Sequence, residues 1–143
     1  MGYCMRLQDS NFKIKAENKD KALKVIQDMA NKVNDSGSGG SYKAGQQQEA
    51  WYSWVNTSEF VNAKTLKEAM DAWRWGIEED YEGNIDGIHF NGEKLGDDEQ
   101  LFTVIAPFVE KDSYIEMHGE DGAIWRWAFN GQTMKEKTAN ITW

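Results

Sequence analysis

Apolar and polar residues alternate on both sides of a short turn in the last third of the sequence. Residues 113–118 and 123–129 flank the turn at 120–122, where Gly122 suits the left-handed position of a three-residue hairpin loop. In that register two apolar cross-strand pairs share one face: Ile115 with Trp127, and Met117 with Trp125. We therefore predict an antiparallel hairpin with one buried face, which other elements must cover.

Three further segments have the periodicity of amphipathic helices. Asn18 is a suitable N-cap for the first, Thr65 and Glu68 form a capping-box pattern in the second, and the acids at 97–99 suit the start of the third. Pro107 should kink or end the third helix. The predicted buried faces are Ala22, Ile26, Met29, Ala30 and Val33, then Leu66, Ala69, Met70 and Trp73, then Leu101, Val104, Ile105 and Phe108.

The remaining patterns complete an α+β fold. Further strands are predicted at 3–7, 11–15, 51–55, 75–81, 85–90 and 132–142. A two-residue turn at 130–131 would place Arg126 opposite Lys135, a repulsive pair, so the register of the last strand stays open. We predict a single domain over residues 1–143, with a mostly antiparallel sheet and about three helices packed on one face. Residues 34–48, rich in Gly, Ser and Gln, are expected to form a flexible internal loop.

Charge is unevenly distributed along the chain. The sequence has 24 acidic and 16 basic side chains, which gives a net charge of -8 at pH 7. Nine acids lie in one stretch where Lys94 is the only base: Glu78, Glu79, Asp80, Glu82, Asp86, Glu93, Asp97, Asp98 and Glu99. Direct nucleic-acid binding is disfavoured, because neutralising phosphates requires a basic surface. The acids form either an ordinary solvated face or a surface that binds a basic partner protein.

Tryptophan provides a second candidate site. The tripeptide Trp-Arg-Trp occurs twice, at residues 73–75 and 125–127. In a strand this tripeptide places both indoles on one face and the arginine on the other. Exposed pairs would form a flat platform for a sugar, a nucleobase or a partner protein, whereas buried pairs would belong to the core. The platform residues would be Trp73, Trp75, Trp125 and Trp127.

Few residues point to catalysis. His89 and His118 are the only histidines, and nothing in their spacing from nearby acids demands a metal site or an acid–base pair. Residues 82–93 match several positions of a calcium-binding loop, but their strand pattern lacks the flanking helices. Cys4 has no nearby sequence feature that marks an activating base. We expect no catalytic residues, no metal and no cofactor, and keep a metal-dependent enzyme as the least favoured alternative.

Cysteine content and the beginning of the chain favour a cytoplasmic protein. Cys4 is the only cysteine, so an intramolecular disulfide is impossible. Residues 1–6 lack the basic and apolar segments of a signal peptide. No apolar run approaches the roughly 18 residues needed to span a membrane. We expect a cytoplasmic location and no membrane partner.

Five segments carry a resemblance to a group of proteins: residues 1–5, 9–10, 17–19, 90–96 and 113–127. Together they resemble uncharacterised small acidic proteins of phages and mobile elements in gut bacteria. The resemblance brings no catalytic residues. It implies a context in which compact acidic proteins often bind and block a host protein, including defence nucleases, as anti-CRISPR proteins do.

These observations lead to one main hypothesis and one alternative. The main hypothesis is a non-catalytic protein-binding module, an accessory protein of a phage or mobile element that blocks a host defence protein through its acidic surface. Its partner would be a host protein with a basic surface. The alternative is a small-ligand or carbohydrate-binding module that uses exposed tryptophans.

Overall fold

The computed structural model describes residues 3–29, 55 and 57–138, and this part of the chain has an α+β fold. Its strands are β1 (Met5–Asn11), β2 (Trp75–Glu79), β3 (Ile85–Phe90), β4 (Tyr114–Gly119), β5 (Ile124–Phe129) and β6 (Met134–Thr138). Its α-helices are α1 (Lys19–Asp28), α2 (Thr57–Val61), α3 (Leu66–Ala72) and α4 (Asp98–Ile105). The predicted fold class is confirmed. The predicted loop at 34–48 and, except for Val55, the predicted strand at 51–55 lie outside the described residues.

The strands form two antiparallel sheets where one was expected. Strands β1, β4, β5 and β6 form a four-stranded sheet in the order β1-β4-β5-β6, while β2 and β3 form a separate hairpin. The chain leaves β1 after Asn11, and an isolated backbone bridge between Ile14 and Ile85 joins it to the hairpin. A second bridge joins Cys4 to Lys94. The two sheets are therefore neighbours that share isolated bridges and not a continuous ladder.

The β4–β5 hairpin has the predicted register. Ile115 pairs with Trp127 and Met117 pairs with Trp125, and all four side chains are buried. Gly122 has a φ of +88° in the connecting turn, a conformation that glycine adopts without steric cost. Turn chemistry and side-chain alternation thus determine this part of the fold locally.

The last hairpin has a longer loop than the two-residue turn considered from the sequence. Asn130 Oδ1 accepts hydrogen bonds from the backbone N–H groups of Gln132 and Thr133 at 2.8 and 2.7 Å. Residues 130–133 therefore form the loop. In the resulting register Arg126 faces Lys137, while Lys135 faces Ala128.

The helix ends follow the sequence signals in two cases out of three. The Thr65 hydroxyl accepts a hydrogen bond from the Glu68 N–H at 3.2 Å, as the capping box predicts. Helix α4 ends at Ile105, directly before a 3₁₀ turn (Ala106–Phe108) that contains Pro107. Asn18 precedes α1, but its side chain makes no capping hydrogen bond, because residues 16–18 already form a 3₁₀ turn.

Helix α4 joins the two sheets through an aromatic core. The Phe102 ring lies 5.2 Å from Trp127 of the larger sheet and 4.9 Å from Trp75 of the hairpin, measured between ring centroids. Trp75 and Trp127 also meet edge to face at 6.1 Å. Edge-to-face and tilted aromatic pairs of this kind add to the stabilisation from buried apolar area. This cluster fixes the β2–β3 hairpin against the rest of the described chain.

Candidate functional site

The Trp-Arg-Trp tripeptides do not form an exposed platform. The four indoles are buried, with relative exposures of 0% for Trp73, 0% for Trp75, 8% for Trp125 and 1% for Trp127. In β5 the alternation is as predicted, with both indoles inward and Arg126 outward. At 73–75 it is not, because Arg74 has a φ of +75° and β2 begins only at Trp75. The proposed ligand platform is therefore part of the core.

Asp98, one of the predicted partner-binding acids, is also buried. Its side chain has 0% exposure and accepts hydrogen bonds from Arg74 Nη2 at 3.0 Å, Trp75 Nε1 at 2.9 Å and the Gly96 N–H at 2.9 Å. Arg74 also donates to the Lys94 carbonyl oxygen at 2.6 Å and lies over the Phe90 ring. Asp98 therefore links α4 to the β2–β3 hairpin and has no surface to offer a partner.

A sequence signal for this buried role exists. Asp98 lies three, four and seven residues before buried positions of α4, namely Leu101, Phe102 and Ile105. That spacing places it on the apolar stripe of the helix. As a run of three acids that suit the start of a helix, residues 97–99 look equivalent in sequence, although Asp98 is buried and its neighbours are not.

The β2–β3 hairpin presents most of the remaining acids. Its turn is held by Asp80, which accepts hydrogen bonds from the N–H groups of Glu82 and Asn84 at 2.8 and 3.0 Å. Burial raises the pKa of Asp80, but the hydrogen bonds from Asn84 and Glu82 outweigh it, and the pKa lies below its ordinary value. Asp80 is thus a carboxylate that organises the turn.

Two glycines of this hairpin are covered by side chains from the opposite strand. The His89 ring lies directly over Gly76, so a Cβ at Gly76 would overlap the ring. The Glu78 side chain similarly covers Gly87, where a Cβ would lie 2.8 Å from Glu78 Oε1. A bulge lies where the pairing steps from Glu78 to Glu79, which leaves Asp86 unpaired and exposed.

The exposed end of the hairpin combines carboxylates with one aromatic side chain. Tyr81 is 98% exposed and stands in the turn between Asp80 and Glu82. Three exposed carboxylates lie in this turn and in the strand ends that adjoin it; together with Tyr81 they form what we call the acidic tip: Glu78, Tyr81, Glu82 and Asp86. Glu79 is exposed as well, but its Oε2 pairs with Lys19 Nζ at 2.9 Å.

The other predicted acids belong to a different part of the surface. Glu93 and Asp97 follow the far end of β3, and Glu99 is in the first turn of α4. Most of β3 lies between these acids and the acidic tip, so they follow the opposite end of the hairpin. The nine-acid stretch is therefore divided into the tip, Glu79 and Asp80 beside it, a second group in which Glu93 and Glu99 are exposed and Asp97 is half-buried, and the buried Asp98.

The two histidines lie in different sheets. His89 of β3 is 3.9 Å from Glu78, and His118 of β4 is 3.3 Å from Glu116, measured between ring nitrogen and carboxylate oxygen. In the described residues, no group of three or more His, Cys, Asp and Glu side chains is arranged to hold a metal ion. Residues 82–93, which match calcium-loop spacing, form a turn, β3 and the connection that follows it.

Cys4 is half-buried next to a lysine. Its Sγ atom accepts a hydrogen bond from Lys94 Nζ at 3.1 Å, and its backbone N–H donates to Glu120 Oε1 at 2.6 Å. The hydrogen bond to Cys4 raises the pKa of Lys94 above its ordinary value. These contacts connect the start of β1 to the segment after β3.

Comparisons with protein-family models, with curated proteins and with solved structures found no match for this chain. Within the described residues, no helix is both long enough and apolar enough to cross a membrane.

Proposed function

We propose that this protein is a non-catalytic protein-binding module that uses the acidic tip to bind, and thereby block, a host protein with a basic surface. The observation that carries the proposal is Tyr81, a large aromatic side chain that is 98% exposed among carboxylates. Tyrosine is enriched in protein interfaces because its rigid ring buries much area for little loss of conformational entropy.

The carboxylates of the tip complement this anchor. Glu78, Glu82 and Asp86 are exposed. Glu78 lies 3.9 Å from His89, and Glu82 and Asp86 form no ion pair with any residue that the structure describes. Such carboxylates attract a basic surface over a long range and accelerate encounter, while a central aromatic residue supplies contact area after docking. The supporting elements are rigid, because Asp80 holds the turn and the aromatic core holds the strands.

The resemblance to small acidic proteins of phages and mobile elements supports the choice of target class. A blocking protein of this kind needs no catalytic residues, and the proposal assigns none. A host defence protein that binds nucleic acid would offer the basic groove that the tip complements.

The test compares three forms of the protein in affinity capture from bacterial lysate at low and high salt. One variant neutralises the tip with Glu78→Gln, Glu82→Gln and Asp86→Asn. The matched control makes the same change of charge elsewhere, with Glu17→Gln, Asp28→Asn and Asp71→Asn, all exposed and without an ion pair among the described residues. Asp98, Asp80 and Glu79 are left intact because they support the fold.

The proposal predicts a specific protein that the wild type and the control retain at low salt. The tip variant and high salt should each release it, because surface charge interactions are screened by ions. Equal retention by the tip variant and the control would contradict the proposal, as would the absence of any salt-sensitive partner.

A further inference from the structure

The outward face of the four-stranded sheet contains a notch that results from side-chain size. In one row across three strands, Tyr114 faces Ala128, which faces Lys135; in the next row Arg126 faces Lys137. The short Ala128 side chain lies between longer neighbours, so the surface is concave there. A cavity of about 470 Å³ occupies this position. We call its principal lining residues the basic notch: Lys111, Tyr114, Arg126, Ala128, Lys135 and Lys137.

The notch is positively charged in an acidic protein. Among the described residues, the cavity is lined by four basic side chains and one carboxylate, that of Asp112. Among the described residues, Lys111, Lys135 and Lys137 form no ion pair. These three lysines are exposed and free to meet an anion.

Arg126 is held in place before any ligand arrives. Its Nε donates to Glu116 Oε1 at 2.9 Å, and its guanidinium lies 4.2 Å from the centroid of the Tyr114 ring. Tyr114 is in turn fixed by a hydrogen bond from its hydroxyl to Asp9 Oδ2 at 2.9 Å. The Arg126 side chain nevertheless stays 45% exposed. One face of the guanidinium therefore stacks on tyrosine, and the arginine retains exposed surface at the notch.

We propose that the basic notch binds a nucleoside phosphate, with the phosphates among the lysines and the base stacked on Arg126. The cavity is within the size range of small-molecule sites, and a planar base continues the Tyr114–Arg126 stack. Lysine ammonium groups and a fixed guanidinium are the donors that phosphates prefer. A compact ligand fits better than a long nucleic acid, because the chain carries a net charge of -8.

The test measures binding of ATP, AMP, adenosine, inorganic tripolyphosphate and a short single-stranded DNA by isothermal titration calorimetry with the full chain. A double variant, Lys135→Gln with Lys137→Gln, removes two notch cations, and Lys21→Gln with Lys24→Gln on α1 is the matched control. The substituted side chains are exposed, so thermal unfolding should show both variants folded. ATP should bind the wild type and the control equally, and the notch variant about tenfold or more weaker.

A second variant separates stacking from charge. Arg126→Lys keeps the positive charge but loses the planar surface, so it should weaken ATP more than it weakens tripolyphosphate. No ATP binding, ATP binding that the notch variant leaves unchanged, or tripolyphosphate binding as tight as ATP would overturn the proposal. Tighter binding of the DNA than of ATP would replace it with a nucleic-acid site. The acidic-tip variant should bind ATP normally, so the two proposals fail separately.

Discussion

Within the acidic stretch, some side chains hold the fold together and others are exposed to solvent. The nine acids between Glu78 and Glu99 look alike in sequence, yet Asp98 is buried and Asp80 holds a turn. Tyr81, which lies between two of these acids, is 98% exposed. Sequence patterns predicted where the acids are concentrated, and helical spacing could have singled out Asp98. They could not predict that Arg74, with its positive φ, would supply the buried partner. That partner depends on tertiary packing and not on local pattern.

Asp98 should be among the most sensitive positions for stability. Asp98→Ala leaves the largely buried Arg74 guanidinium without its carboxylate, and removing one member of a buried ion pair costs about 3 to 5 kcal/mol. Urea unfolding measures the change in free energy. Glu99→Gln, an exposed neighbour in α4, is the control and should change it by no more than about 0.5 kcal/mol. Similar stabilities for the two variants would show that the Asp98 contacts contribute little.

Asp80 should make stability depend on pH in the acidic range. Its folded-state pKa is depressed, because hydrogen bonds from Asn84 and Glu82 outweigh the effect of burial. The Asp80 carboxylate therefore makes its full contribution to the free energy of unfolding above the unfolded-state pKa of about 3.9. This contribution is lost as the pH falls through the lower folded-state pKa. Asp80→Asn should lower the melting temperature at neutral pH. The difference from the wild type should narrow below about pH 4, and a constant difference would contradict this role.

Turn residues, side-chain alternation and proline predict the helices and strands correctly where these local signals determine the structure by themselves. The turn at 120–122 and strict alternation define the β4–β5 register, and Pro107 ends α4. The sequence does not predict the separation into two sheets. That separation depends on the path of residues 12–15 after β1 and on one bridge to β3, which joins residues far apart in sequence. The β5–β6 register depends on the hydrogen bonds that the Asn130 side chain accepts in the loop. Like-charge repulsion could not have predicted it, because Arg126 faces a lysine, Lys137, in the observed register as well.

The start of α3 offers a test of one such local signal. Thr65→Ala removes the hydroxyl that accepts the Glu68 N–H, and loss of an N-cap typically costs about 1 kcal/mol. Thr65→Ser keeps the hydroxyl and should retain most of the stability. Chemical denaturation of both variants measures the difference, and equal losses in the two would mean that the cap hydrogen bond is not the source.

The protein has a net negative charge, but its acidic and basic side chains are concentrated on different parts of the surface. The chain is acidic overall, which disfavours long nucleic acids, but strand pairing gathers Arg126, Lys135 and Lys137 on one sheet face. The β2–β3 hairpin gathers carboxylates around Tyr81 at its turn. The sequence predicted the acidic concentration because those residues are contiguous. The basic notch is not visible in the sequence, because its residues come from different strands and from the segment before β4.

In the proposed function, Tyr81 lies at the point of contact with a partner protein. The most direct measurement replaces Tyr81 with a photoreactive benzoylphenylalanine, crosslinks in bacterial cells and identifies products by mass spectrometry. The same replacement at Lys67, exposed on α3, is the control. If Tyr81 contacts a host protein, one dominant crosslinked host protein should form from position 81 and not from position 67. The same product should be lost when Glu78, Glu82 and Asp86 are neutralised. No specific product from position 81, or the same products from both positions, would contradict it.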